Sequence, residues 1–170
     1  MEKWTYKKGL QEIGPGQYAY LVPDGSWGWS NAGLITDHEE TLLVDTLFDL
    51  KSTQEMLDTM HAALPNLHGI NTLVNTHSNG DHTFGNELAK AGEIIASAAC
   101  LAEMQERGPA ELAELMRDAP TLGEGGKLLL ELMGPSKFDF ENINYTLPTK
   151  TFEKELEVQV GDKKVQLINV

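Results

Sequence analysis

Apolar residues in the first third of the chain come in short runs separated by turn formers. Residues 17–22 are rich in strand formers and stop at Pro23, Asp24, Gly25 and Ser26. Residues 31–36 and 41–46 flank a polar tip, Asp37-His38-Glu39-Glu40, which predicts a hairpin. Its second strand is apolar on successive positions, the pattern of a strand buried on both faces. A helix follows, capped at Ser52 or Thr53 and ended by Pro65, with Met56, Leu57, Met60 and Leu64 on one side. Residues 70–74 form another apolar strand and lead directly into a polar loop. Strand, helix, strand and loop in this order predict an α/β layer.

Residues 93–96 read as a further strand. Residues 97–134 read as helix in pieces, broken at Gly108-Pro109, Pro120 and the glycines between 123 and 126. Leu112, Leu115 and Met116 share one face, and Leu128, Leu129 and Leu132 another; both stripes read as packing surface. Leu156, Val158 and Val160 alternate with polar residues up to Gly161-Asp162, and residues 165–168 return as the second arm of a hairpin. Leu167, Ile168 and Val170 make this last strand apolar on both faces, which predicts an interior strand and a domain that continues past residue 170.

Composition narrows the function classes. The 170 residues carry 13 Lys and Arg against 26 Asp and Glu, a formal net charge of −13. Without a basic stripe, neither a nucleic-acid backbone nor an anionic membrane surface is an expected partner. No apolar run approaches the ~20 residues of a membrane span, and the first residues lack the apolar segment of a secretory signal. The expectation is a cytoplasmic globular protein. Cys100 is the single cysteine, which excludes an intrachain disulfide and a thiolate cluster within this sequence.

The candidate chemistry lies in Thr76-His77-Ser78-Asn79-Gly80-Asp81-His82, straight after a buried strand. Two imidazoles, a carboxylate and an amide are all able to ligate Zn²⁺ or a similar ion, and Gly80 permits the bend that converges them.

This segment resembles the HxHxDH signature of the metallo-β-lactamase-fold superfamily, with His77, Asn79, Asp81 and His82 at its four positions. Ser30-Asn31-Ala32-Gly33-Leu34-Ile35 and Leu43-Val44-Asp45-Thr46 are similar to that family's early strands and its V-D-T turn. The resemblance runs from about residue 18 to 170 and is weakest over 99–148. It implies the first αβ half of an αββα sandwich with a helical insertion at about 97–148, the C-terminal half being absent from these 170 residues. It further implies a metal-dependent hydrolase of esters, thioesters, lactones or amides, using zinc or another divalent transition metal, one or two ions.

By the family's logic His77, with Asn79, belongs to one metal position, and Asp81 and His82 to the second. Asp81 also orients the attacking water. Asn79 stands where the signature has a histidine, and an amide is the poorer zinc ligand. The family's later ligands do not occur in this sequence. The implied partners are a small-molecule substrate and a C-terminal half of the same fold, or a second copy of the chain. The alternatives are a non-catalytic half-domain or degenerate paralogue acting by association, and a cyclase or oxygenase-type relative using the metal as a Lewis acid.

Other candidates carry less. Asp45 ends a buried strand, where it either orients a ligand histidine or serves the turn. Trp27 and Trp29 form either an aromatic wall over the cleft or packing. His38, His61 and His68 read as solvated or capping, and Cys100 as a buried, inert thiol.

Overall fold

The computed structural model describes residues 7–23, 25–134 and 137–170. Seven strands form one mixed sheet in chain order: β1 (Gly9–Gly14), β2 (Gln17–Leu21), β3 (Ala32–Asp37), β4 (Glu40–Val44), β5 (Thr72–Val74), β6 (Glu93–Ser97) and β7 (Lys150–Phe152). The first four pair antiparallel through hairpins; β4 to β7 pair parallel through helical crossovers. Strands β8 (Glu155–Val160) and β9 (Lys163–Ile168) make a separate two-stranded sheet.

Side-chain alternation along the central strands decides the layering. Leu43, Leu73 and Ile94 are in register and face helix α1 (Leu50–Ala63), where Met56, Leu57 and Met60 are buried with them. Their neighbours Leu42, Val74 and Ile95 point to the other face and pack with Leu156, Val158, Val160, Val165 and Leu167 of the β8–β9 hairpin. The order is thus helix, sheet, hairpin, an α/β architecture with a second β layer begun. Each fully buried Leu or Ile stabilises this sandwich by roughly 1.5–3 kcal/mol.

Helix α1 starts earlier than the sequence suggests. Asp49, not Ser52 or Thr53, is the N-cap: its carboxylate accepts from the Ser52 N–H, and Ser52 returns a bond to the Asp49 backbone. Ser52 is the third residue of the helix and closes that capping box. The short helices α2 (Gly80–Thr83) and α3 (Asn86–Ala89) lie between β5 and β6. Helices α4 (Ala98–Glu106), α5 (Pro109–Asp118) and α6 (Gly123–Met133) form the insertion before β7.

A second core docks the insertion onto the sheet end. Phe48 lies at its centre, with ring centroids 5.6 Å from Phe84, 5.0 Å from Phe138 and 4.8 Å from Phe140. Leu112, Met116 and Leu129 pack against it. Leu115, Leu128 and Leu132 do not: they are 42%, 57% and 49% exposed, so the leucine stripes are only partly packing surface.

Among the described residues β9 pairs with β8, Leu167 turns towards the sheet, and Ile168 is 58% exposed. Within these residues it is a half-buried hairpin arm. Asp24, in the expected turn after β2, lies outside the described residues. No helix among the described residues is long and apolar enough to cross a membrane.

Candidate metal centre

Both chemistry-bearing segments sit at the carboxyl ends of adjacent parallel strands, where α/β sheets place ligands. Asp45 and Thr46 follow β4; residues 75–82 follow β5. Backbone bonds align the two: Asp45 N–H to Val74 C=O at 2.8 Å, and Thr46 N–H to His82 C=O at 2.9 Å.

Asp45 organises the site. It is 4% exposed and holds a left-handed backbone conformation, φ 62°. One carboxylate oxygen accepts from the Thr76 N–H at 2.7 Å. The other accepts from the Thr76 hydroxyl at 2.7 Å and faces His82 Nδ1 at 2.9 Å. Thr76 Oγ1 in turn lies 2.9 Å from His77 Nδ1.

One assignment of protons satisfies all these contacts. His82 Nδ1–H donates to Asp45, the Thr76 hydroxyl donates to Asp45, and His77 Nδ1–H donates to Thr76 Oγ1. Both imidazoles are then left with their Nε2 lone pairs free. The rings stand 4.2 Å apart between centroids.

Burial pushes the His82 pKa down, but its hydrogen bond to Asp45 and the charges of Asp45 and Asp81 outweigh this and hold it above the ordinary histidine value.

The backbone of the ligand loop is fixed from three sides. The Ser30 hydroxyl donates to the Asp81 carbonyl, at 2.5 Å. Asn75 Nδ2 donates to the His82 carbonyl at 3.1 Å. Asn75 and Asn86, 2% and 1% exposed, pair amide to amide at 2.8 and 3.2 Å, and Asn86 also donates to Thr146 C=O at 3.0 Å. Phe84 and Phe48 press on Gly80: a Cβ there would lie 2.6 and 2.8 Å from their rings.

The donor set suits a divalent transition ion. Asp45, His77 and His82 bring ligand atoms within 4.8 Å of one another. Asp81 Oδ2 lies 3.5 Å from His82 Nε2. Two ligands on one tetrahedral zinc, with bonds of ~2.0–2.2 Å, are separated by about 3.3–3.6 Å. The Asp45–His82 distance is instead that of a hydrogen bond to the ring face away from Nε2.

Of the residues singled out in the sequence, His77 and His82 converge with Asp45, and the Asp81 carboxylate comes to 3.5 Å from His82 Nε2. Asn79 lies at the N-cap of α2, exposed, its side chain without a hydrogen bond among the described residues. His38 pairs with Asp162 at 2.9 Å on the opposite end of the sheet, and His61 Nδ1 bonds its own helix at Leu57 C=O. Trp27 is 49% exposed against Phe48, and Trp29 lies against Phe138. Cys100 is buried beside Met104, and desolvation pushes its pKa to about 11, so the thiol is inert. Sequence reading missed Thr76 and the Asn75–Asn86 pair. A polar residue ending a buried strand was the one available signal for Asn75.

An α/β sheet with a His/Asp loop at the ends of its parallel strands defines a class of metal-site proteins. The sequence matches the Metallo-beta-lactamase superfamily over residues 25–161, and the chain belongs to that superfamily.

Similar solved structures include a stereoselective inverting sec-alkylsulfatase from Pseudomonas sp., at 20% identity and TM-score 0.64, covering 95% of this chain and 27% of that one. Another is a metallo-beta-lactamase from Pontibacter korlensis, at 15% identity and TM-score 0.59, covering 94% of this chain and 59% of that one. At these identities the likeness is one of fold. The chain spans only part of the length of each. No curated protein matches it in sequence.

Proposed function

We propose that this chain carries the metal-ligand loop of a hydrolase acting on an ester, thioester, lactone or amide. The observation supporting this most directly is the Asp45-centred hydrogen-bond chain, which leaves Nε2 of both His77 and His82 free, that of His82 3.5 Å from the Asp81 carboxylate. His77, Asp81 and His82 would hold zinc or another divalent transition ion. Such an ion, when bound, acidifies water and polarises a carbonyl.

The remaining roles belong to side chains. Asp45 fixes both histidine tautomers, Asp81 orients the attacking water, and Ser30 holds the Asp81 backbone in place. Asn79 is a weak further ligand on the His77 side. The other ligands would come from a C-terminal half of the same fold or from a second copy of the chain. Asn79 in place of an imidazole favours one rival, a non-catalytic half-domain or degenerate paralogue.

Metal content, with hydrolysis of generic esters and thioesters, tests the reading on the chain joined to its second half. His82→Ala should remove most of the bound metal from its position and abolish turnover. Unchanged metal stoichiometry in that variant refutes the ligand assignment. Full metal occupancy without turnover on any carbonyl substrate favours the rival.

A further inference from the structure

A cleft of about 630 Å³ opens beside Ser78, Asn79 and Gly80 of the ligand loop, between that loop and the helical insertion. This size falls within the usual range for small-molecule sites. Its apolar part is Phe84, Leu112 and Leu115, the last an exposed leucine next to charged side chains. Its charged part is Glu103, Glu106 and Glu111 against Arg107 alone, a surplus of two negative charges. Glu103 accepts from the Ser78 hydroxyl at 2.5 Å and so ties the cleft wall to the ligand loop. Glu106, Arg107 and Glu111 make no ion pair or hydrogen bond among the described residues, although a carboxylate and a guanidinium line the same space.

These features select an occupant. An apolar wall excludes a small hydrated ion as the sole ligand, because its desolvation would gain nothing from Phe84, Leu112 and Leu115. Three carboxylates against one guanidinium repel an anion and attract a cation. We infer that the cleft seats the part of the substrate that is not cleaved, an apolar body bearing an ammonium group. The body lies on Phe84, Leu112 and Leu115, and the ammonium faces Glu106 and Glu111. This inference rests on the hydrolytic reading of the adjoining loop for its functional meaning, but its binding chemistry is independent of metal.

The test uses the metal-free 170-residue chain, isotope-labelled, titrated at neutral pH with three probes of one shape: phenethylammonium, phenethyl alcohol and phenylpropionate. The ammonium should bind about fivefold or more tighter than either other probe, with amide shifts centred on residues 78–84 and 103–115. The Glu106→Gln/Glu111→Gln variant should reduce it to the affinity of the alcohol. Arg107→Gln should tighten it about twofold, by removing a like charge. Glu114→Gln, on α5 but outside the cleft, should change nothing.

If the double variant does not fold, the single variants and the loss of preference with added salt in the unmodified chain carry the same test. Equal affinities, a preference for the carboxylate, no binding of any probe, or shifts elsewhere overturn the inference. Metal binding is measured separately. An ammonium preference in a chain whose His82→Ala variant binds metal unchanged would sink the hydrolytic reading and keep the cleft assignment.

Discussion

Replacing Asp45 with Asn tests whether one buried carboxylate sets the protonation of the whole centre. The substitution keeps size and shape but exchanges one acceptor oxygen for an NH₂ donor. With the amide oxygen accepting from the Thr76 N–H, as Oδ1 does now, the NH₂ faces the Thr76 hydroxyl and His82 Nδ1. Nδ1 must then become an acceptor, and the ring proton moves to Nε2, the nitrogen 3.5 Å from Asp81 that a metal needs free.

Loss of such an orienting partner typically lowers metal affinity by about 10–100-fold, or about 1.4–2.7 kcal/mol. Folding should lose about 1–2 kcal/mol, because a charge-assisted bond is replaced by a neutral one.

The cost should also depend on pH. In the parent chain the His82 pKa is raised, so its charged pairing with Asp45 contributes stability that is full below the ordinary histidine value of ~6.5 and is lost as pH rises through the higher folded value. Asp45→Asn removes the hydrogen bond and the nearer charge that raise it and leaves burial and the Asp81 charge, so the His82 pKa should fall. The stability difference between the two proteins should therefore be larger near pH ~5.5 than near pH ~8.5. Chelator competition measures the affinity, and imidazole nitrogen shifts report the tautomer and pKa. Metal affinity within about twofold of the parent, with His82 still protonated at Nδ1, refutes the reasoning.

Three further outcomes follow from single contacts. Gly80→Ala should cost about 1–3 kcal/mol and weaken metal binding, because its Cβ would meet Phe84 and Phe48 at 2.6 and 2.8 Å in a packed core; chemical denaturation and metal titration read both, and an unchanged denaturation midpoint refutes the packing argument. Asn86→Ala should cost about 2–4 kcal/mol, because Asn75 Oδ1 and the Thr146 carbonyl lose their donor in a buried setting; a loss below about 1 kcal/mol would mean that water replaces the amide. The His38 pKa is raised by its hydrogen bond to Asp162 and by the charges of Asp37, Asp162 and Glu40, so its imidazole should titrate above ~6.5 and Asp162→Asn should bring it down; no shift in that variant would show that the pair does not persist in solution.

The layers of the fold were legible because burial leaves a period in the sequence. Leu42 and Leu43, adjacent and both apolar, announced a strand covered on both faces, and Leu43 and Leu42 do enter opposite cores. The strands that escaped notice, β1 and β7, have few buried side chains, so their pairing is written in backbone bonds that leave no pattern. Ile168, on the outer face of the β8–β9 sheet, is exposed within these residues.

In the site, His77, Asp81 and His82 were legible as a dense cluster of ligand types. Asp45 was visible only as a polar end to an apolar strand. Thr76 and Asn86 gave no signal, because a hydroxyl or amide is significant only when the partner it meets in space is known.

The contrast within the ligand loop explains where this centre is fixed and where it is open. At His82 the backbone carbonyl is held by Thr46 and Asn75, the ring by Asp45, and the preceding carbonyl by Ser30. Ordering this residue therefore costs nothing further when a ligand arrives, and its geometry is set by folding. Asn79, three residues earlier, has a backbone carbonyl bonded to the His82 N–H and Thr83 Oγ1, but its exposed side chain is unbonded among the described residues.

A side chain in that state must be ordered by whatever it meets, at a cost of up to ~2 kcal/mol in rotamer entropy. An amide offers a metal too little to offset that cost readily. The same amide, in the wall of a cleft lined by carboxylates and leucines, is well suited to hydrogen-bond an organic ligand through either its oxygen or its nitrogen. On the proposed reading, Asn79 thus serves the metal poorly and places an adaptable polar group where the loop meets the cleft.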